Sequence, residues 1–238
     1  RLFCFDSLAS TNSWLMSGPG AEAPGGTVVL AETQTAGRGR RGNSFLCEKG
    51  SGIYMSCVYD CRGESVYTVT SEIAVELCEY LSERCSVPAG IKWVNDVFVN
   101  EKKICGILTE AVSGFESGVV ECVVVGIGIN VTDPGFPDEL KQVAGSLSGQ
   151  CRDFSRNHLA ALVANHLLEL SAALPDRSFL EEYRKRSILL GKPIRFLENN
   201  VWCDAVAVDV DNSGGLVIET ATGRRTLTSG EVSVRPRD

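Results

Sequence analysis

IKWVNDVFVNEKKICGILT (residues 91–109) and VVECVVVGIGINV (residues 119–131) decide how this chain folds. Ile91 to Trp93, Val97 to Val99, Ile104 to Thr109 and Val119 to Val131 are short apolar runs rich in β-branched residues. Asn-Asp, Asn-Glu-Lys and Ser-Gly turns separate them, a pattern that predicts a meander of strands. The longest apolar stretch, Cys122 to Ile129, is too short to cross a bilayer and contains Gly126 and Gly128.

Upstream, Thr27 to Glu32 is β-prone and runs into a Gly- and Arg-rich segment ending near Gly52, after which Ile53 to Tyr59 resumes strand character. Tyr67 to Cys85 places Ile73, Ala74, Leu77, Cys78 and Leu81 at helical spacing, with Glu72, Glu76, Glu79 and Glu83 opposite, and predicts an amphipathic helix. Downstream, Ser155 is placed to cap a helix with Leu159, Leu162, Val163, Leu167 and Leu170 on one face, and Asp176 to cap another reaching Leu190. Gly191 stops it. Five short β segments then follow, with turns at Asn199-Asn200, Asn212 to Gly215, Thr222-Gly223 and Ser229-Gly230, which predicts a small barrel-like appendage.

The balance of 23 basic against 30 acidic residues, net −7, argues against a surface built to neutralise nucleic-acid phosphates, so any anion site must be local. The 238 residues, 44% apolar, suffice for one substantial core. Ten cysteines scattered through core-like sequence read as reduced thiols rather than a disulfide framework. Cys57 and Cys61 come closest to metal spacing, but no second Cys or His pair sits at a matching interval, and no structural zinc is expected. His158 and His166 lie on the apparent helix after Ser155, where packing or solvation explains a histidine better than catalysis, and no His-based triad is visible.

GRGRRG, Gly37 to Gly42, concentrates cationic forks on backbone that can approach an anion closely. A P-loop reading fits Gly37 to Ser44 except for Asn43 at the lysine position. It also requires a helix to follow, whereas Phe45 to Gly52 reads as loop into strand. An RNA-binding RGG tract would be repeated, and this one is single. From these residues alone the loop reads equally as an active-site anion cradle or a surface turn. In the meander, alternation from Lys103 puts it on the face of Cys105 and Ile107, where a buried lysine needs an anion. Taken by itself, that stretch also reads as an ordinary hairpin with solvated Lys102 and Lys103. Gly126-Ile-Gly-Ile-Asn130 ends an apolar strand where missing side chains would admit a ligand. It is not a dinucleotide fingerprint, because Val131 stands where a third glycine would be needed.

In their order, Ser10-Thr11-Asn12, Gln34 ahead of GRGRRG, KWVND, KKICGIL and GIGIN resemble the biotin protein ligase family over nearly the whole chain. The resemblance is to members without an N-terminal DNA-binding domain. It implies an α+β fold: a mixed β-sheet backed by helices, the class II synthetase-like catalytic domain, over residues 1–190, and a small C-terminal SH3-like β-barrel over 191–238. It implies ATP-dependent formation of biotinyl-AMP, with Mg²⁺ held mostly through phosphates and no protein metal ligand assigned. Transfer to a lysine of a biotin carboxyl carrier domain follows. No nucleic acid or membrane partner is implied, a homodimer is left open, and the expected setting is cytoplasmic with an organelle left open.

Carried over residue by residue, the resemblance has Ser10, Thr11, Asn12 and Gln34 bond the biotin head group, and Gly37, Gly39, Gly106 and Gly126 line its slot. Arg38, Arg40 and Lys103 would meet the biotin carboxylate and the α-phosphate. Phe45, Asn95, Asn130 and Arg41 would serve the ATP side, and Asp96 would position or deprotonate the acceptor lysine. Three departures stand out: Val94 where proline is usual, Phe45 where tryptophan is usual, and Cys47-Glu48-Lys49 without the common Ser-Pro. The nearest alternatives are a lipoate or octanoate ligase of the same superfamily, in which GRGRRG is absent as a rule, and a non-catalytic biotin-binding sensor.

Overall fold

The structure is a computed structural model, and it describes residues 1–59, 66–113, 120–148, 155–173, 178–198, 200–228 and 234–236. Cys61, Asp176, Asn199, the Ser-Gly turn before Val119 and the Ser229-Gly230 turn lie outside the described residues.

Seven strands form the main sheet. β1 (Leu2–Phe5) pairs parallel with β2 (Val28–Ala31), and α1 (Thr11–Ser17) supplies part of the crossover that a parallel pair requires. Ser10 caps α1 by accepting from the Ser13 amide at 3.3 Å. The remaining strands are antiparallel: β3 (Gly52–Tyr59), β4 (Ala89–Lys92), β5 (Asp96–Val99), β6 (Lys102–Ser113) and β7 (Val120–Asn130), in the order β1-β2-β3-β7-β6-β5-β4. The sheet is therefore mixed. β1 and α1 have no counterpart in the strand and helix signals read from the sequence, because LFCF and TNSWLMS are each too short to show a period.

Alternation divides the sheet into two unlike faces. Ile53, Met55, Cys57 and Tyr59 of β3, with Val123, Val125, Ile127 and Ile129 of β7, join the main core. The helix α2 (Val66–Cys85) contributes to that core through Ala74, Cys78 and Leu81, spaced at four and three residues and all fully buried. A third helix, α3 (Arg156–Ala173), adds Leu159 and Leu167, and its Ser155 cap is realised by a bond from the His158 amide. On the opposite face, Val29, Val58 and Val124 pack against Leu15 and Trp14 of α1. Further along that same face side chains are missing at Gly52, Gly106, Gly126 and Gly128.

The last helix, α4 (Phe179–Arg186), stops short of the expected Leu190. Ser187 bridges in parallel to Ile91 and the Ile188 amide donates to the Ile91 carbonyl, so this stretch covers the exposed edge of β4 instead of continuing the helix. Gly191 follows with φ +76°, and its amide bonds Ala207. Beyond it lies a five-stranded antiparallel sheet of the SH3-like kind: β8 (Pro193–Glu198), β9 (Val201–Val210), β10 (Leu216–Thr220), β11 (Gly223–Leu227) and β12 (Val234–Pro236), in the order β11-β10-β9-β8-β12. Its inward residues Ile194, Phe196, Ala207, Leu216 and Ile218 belong to the main core cluster. The Trp93 indole donates to Gly214 O at 3.0 Å, and Arg184 bonds Asp209 and Val210 O, so the second sheet is tied to the turn between β4 and β5 and to α4.

Candidate active site

The glycine-bearing part of the sheet is the floor of a slot. A Cβ on Gly126 would lie 2.2 Å from Asn12 Oδ1, one on Gly128 would lie 2.7 Å from the Phe45 ring, and one on Gly106 would lie 3.0 Å from Lys103 Nζ. Asn12 of α1, Phe45 beyond the Gly37–Gly42 loop and Lys103 of β6 thus rest directly on backbone where side chains are missing.

At one end of the slot the polar groups form a closed network. Gln34 Oε1 accepts from the Thr11 amide at 2.7 Å and from Thr11 Oγ1 at 3.1 Å, while Gln34 Nε2 donates to Cys47 Sγ at 3.1 Å. Ser56 Oγ is within hydrogen-bonding distance of both Thr11 Oγ1 (2.6 Å) and Asn12 Oδ1 (2.5 Å). Asn12 Nδ2 donates to Leu108 O and to the Glu110 carboxylate. Ser10, Thr11, Asn12 and Ser56 are all buried, so their orientations are set by these bonds rather than by water.

Cations occupy the other end. Lys103 Nζ is 2.6 Å from the Asp96 carboxylate and 6.0 Å from the Phe45 ring centre. The Lys103 ammonium lies on the face of Gly106, not on the face of Cys105 and Ile107 as strict alternation predicts. The pairing of β5 with β6 shifts register here, Val97 opposite Cys105 but Phe98 opposite Lys103, so Ile104 is an extra residue. Ile104 and Cys105 are both buried completely, and Lys103 is re-aimed to the slot. Its neighbour Asp96 pairs with Gly106 in the register.

The Gly37–Gly42 loop folds back on itself as an irregular hairpin. Phe45 donates its amide to Gly37 O, Gly39 donates to Asn43 O, and Arg38 bridges to Ser44. A single tight turn, Arg40–Gly42, has Arg41 at φ 58° and Gly42 at φ 75°. No helix follows, since the chain enters β3 at Gly52, and the P-loop reading fails on that ground. Arg38 reaches the Glu110 carboxylate at 2.5 Å, and Arg40 Nη1 donates to Asn95 Oδ1 at 3.3 Å. Asn95 in turn donates to Ile107 O.

Ser10, Thr11, Asn12, Gln34, Arg38, Gly39, Arg40, Phe45, Asn95, Lys103, Gly106 and Gly126 all line one slot of about 50 Å³. Gly37 and Arg41 line a wider adjoining cavity of about 590 Å³ on the other side of the loop, which also reaches Thr70, Val94 and Glu110. Asp96 touches the slot through Lys103. Asn130 does not line it: buried at the end of β7, it donates to Gly145 O and so fastens the segment that flanks Lys103. Sequence reasoning missed Ser56, Glu110 and Cys47, whereas Gly128 belongs to the glycine-bearing strand end it singled out. Ser56 carried a signal, being a hydroxyl within the otherwise apolar strand IYMSCVY. Glu110 stands two residues past Leu108, on the slot face of β6.

A family model described as the Biotin/lipoate A/B protein ligase family matches residues 4–130, and one described as the Biotin protein ligase C terminal domain matches residues 189–235. The chain is 31% identical to the bifunctional ligase/repressor BirA of Bacillus subtilis (strain 168), covering 98% of this chain and 74% of that protein. It is 29% identical to the biotin–[acetyl-CoA-carboxylase] ligase of Mycobacterium tuberculosis, covering 94% of this chain and 85% of that one. Among solved structures, biotin protein ligase from Aquifex aeolicus in complex with biotin and ATP superposes with a TM-score of 0.83 at 27% identity, covering 100% of this chain and 99% of the other.

Proposed function

The chain belongs to the biotin/lipoate A/B protein ligase family, as a biotin protein ligase, and from that premise we propose that it condenses biotin with ATP to biotinyl-AMP and passes the biotinyl group to a carrier-domain lysine. One observation carries the reading: a single slot holds a hydrogen-bonding end built on amide and hydroxyl side chains, a glycine floor and a cationic end at Lys103. That sequence of surfaces suits the ureido ring, the thioether ring with its alkyl chain, and the carboxylate of biotin in turn. Thr11, Asn12 and Gln34 offer both donors and acceptors to the ureido group, with Ser56 holding Thr11 and Asn12 from behind. Lys103 and Arg40 face the carboxylate, and Arg38, held on Glu110 beside Asn12, would swing to it as the loop closes over the ligand.

In the first step the biotin carboxylate attacks the α-phosphorus, forming the mixed anhydride and expelling pyrophosphate. Two anions must meet, and the fixed cations of Lys103, Arg38 and Arg40 offset their repulsion and the charge spread over the phosphoryl oxygens. Asp96 and Glu110 are already committed to Lys103 and Arg38, so among the described residues the site offers Mg²⁺ no free carboxylate cage, and the ion would enter with the ATP substrate as its triphosphate complex. In the second step the neutral ε-amine of the acceptor attacks the anhydride carbonyl and AMP departs. Asp96, half-buried beside Lys103, is the carboxylate placed to receive the amine's proton or to orient it.

The loop must move for this to happen. The slot, about 50 Å³, is narrow for a biotin-sized ligand, and Arg38, Gly39 and Arg40 line it, so in this reading they lift to admit biotin. The glycines of the loop permit that excursion, and reclosure over the adenylate would shield it from hydrolysis. The acceptors are biotin carboxyl carrier domains of carboxylases. Residues 1–190 carry the chemistry in this reading, and 191–238 buttress the β4–β5 turn through Trp93.

The deciding experiment is exchange of labelled pyrophosphate into ATP, with biotin, lipoate and octanoate run in parallel. Exchange with biotin alone is expected. Exchange only with lipoate or octanoate would move the chain to the other branch of its family, and biotin binding without exchange would make it a sensor.

A further inference from the structure

We infer that Cys47 is a positioning residue of the ligase, its thiol holding in place both the side-chain amide of Gln34 and the base of the Gly37–Gly42 loop. The inference rests on the reading of the slot as a biotin site.

Gln34 has an amide that can present either its oxygen or its nitrogen to Thr11, and only one choice is chemically allowed. The Thr11 backbone amide is a donor, so Gln34 Oε1 must face it, at 2.7 Å. This turns Nε2 away from α1 and onto Cys47 Sγ at 3.1 Å. The sulfur accepts that N–H, and its own S–H points to Phe45 O at 3.3 Å. Burial pushes the Cys47 thiol up to about 11, so at neutral pH it keeps the proton that this second bond needs.

The same residue closes the loop at its base. Cys47 O accepts from Thr33 Oγ1 at 2.6 Å and from the Gln34 amide. Phe45, whose carbonyl accepts the thiol's hydrogen bond, donates its amide to Gly37 O, the first residue of the loop. Gly37 packs so closely here that a Cβ on it would lie 2.7 Å from Cys47 Sγ and 2.6 Å from Phe45 O. The thiol is therefore wedged between the residue that bonds the head group and the hinge of the loop that covers it, while lining neither cavity itself. A buried side chain with one acceptor and one donor role can be matched by serine but not by alanine or valine.

The test compares Cys47→Ala, Cys47→Val and Cys47→Ser with the unaltered chain in biotin-dependent pyrophosphate exchange, with thermal unfolding measured alongside. Cys47→Ala should raise KM for biotin about threefold to tenfold, the worth of one hydrogen bond, while kcat and KM for ATP change less than about twofold. Serine should restore KM for biotin. Valine, which fills the space without polar partners, should behave as alanine and carries the test if the alanine variant does not fold. An unchanged KM for biotin in the alanine and valine variants, or a fall in kcat alone that serine does not rescue, would overturn the inference. Absence of exchange in the unaltered chain would bring down the biotin reading, and this inference with it.

Discussion

Gly126→Ala places a methyl group 2.2 Å from Asn12 Oδ1, well inside any real contact distance. The backbone at Gly126 is ordinary strand, so the alanine itself fits β7, and it is Asn12 that must leave. Asn12 is held by Ser56 Oγ at 2.5 Å, Leu108 O at 3.2 Å and Glu110 Oε2 at 2.8 Å. Counting about 1 kcal/mol for each neutral bond and about 2 kcal/mol for the one to a carboxylate, displacement costs about 4 kcal/mol. Replacing a strand glycine returns about 1 kcal/mol of backbone entropy, leaving a net loss of about 3 kcal/mol. Gly106→Ala is the matched control. Its methyl group meets the far end of the Lys103 side chain at 3.0 Å and the Phe45 ring at 3.4 Å, which need give by only a few tenths of an ångström, so the same substitution should cost less than about 1 kcal/mol. Urea unfolding of both variants reads the stability difference, and calorimetric titration with biotin should show Gly126→Ala weakened at least about tenfold, since Asn12 is forced into the slot. Equal stability of the two variants with undiminished biotin binding by Gly126→Ala would refute the placement of Asn12 against β7.

Arg38→Ala should slow pyrophosphate exchange at least about 100-fold by removing a fixed donor from the phosphoryl-transfer step; a rate near that of the unaltered chain would take Arg38 out of the mechanism. Asp96→Asn should slow single-turnover transfer from preformed biotinyl-AMP to a carrier domain about 100-fold, measured by appearance of biotinylated carrier. Trp93→Phe orphans the Gly214 carbonyl and should cost about 1–3 kcal/mol in thermal or urea unfolding. His166 is raised above its ordinary value of 6.5, first by its hydrogen bond to Glu76. A group raised in the folded state contributes stability below its unfolded pKa and loses it as pH rises through the folded one. The unaltered chain should therefore lose stability relative to His166→Gln as pH climbs past 6.5, by less than about 1 kcal/mol given the half-exposed partners.

The meander was legible because period-two runs with Asn, Asp and Gly turns leave few other options, and GRGRRG stood out by composition. What the sequence could not show was orientation. Lys103 was expected on the face of Cys105, and a one-residue bulge at Ile104 turned it to the slot; nothing in KKICGIL signals that the extra residue is accommodated there rather than slipping the whole register. Glu110 and Ser56 escaped notice because each becomes functional only through a partner some 40 to 100 residues away, Asn12 and Thr11 on a helix too short to show its own period. The helix expected to reach Leu190 shows the opposite failure. A helical pattern in Phe179–Arg186 runs on into Ile188 and Leu189, whose burial is equally well met by pairing with the β4 edge, and the edge won.

How a chain of net charge −7 gathers two anionic reactants is answered by the local count. Around the slot Arg38, Arg40 and Lys103 stand against Glu110 and Asp96, three positive charges to two negative, with Arg41 on the adjoining cavity. Beyond about 10 Å at 0.1 M salt the remaining charges are screened, so the reversed local sign is what biotin and ATP meet. The two carboxylates have a further consequence. Without them three cations would crowd a half-buried site, and the loop arginines would be driven out by mutual repulsion; paired, they wait within reach of the slot. The incoming carboxylate and phosphates then exchange one set of anionic partners for another, so the cations are organised before the reaction rather than during it.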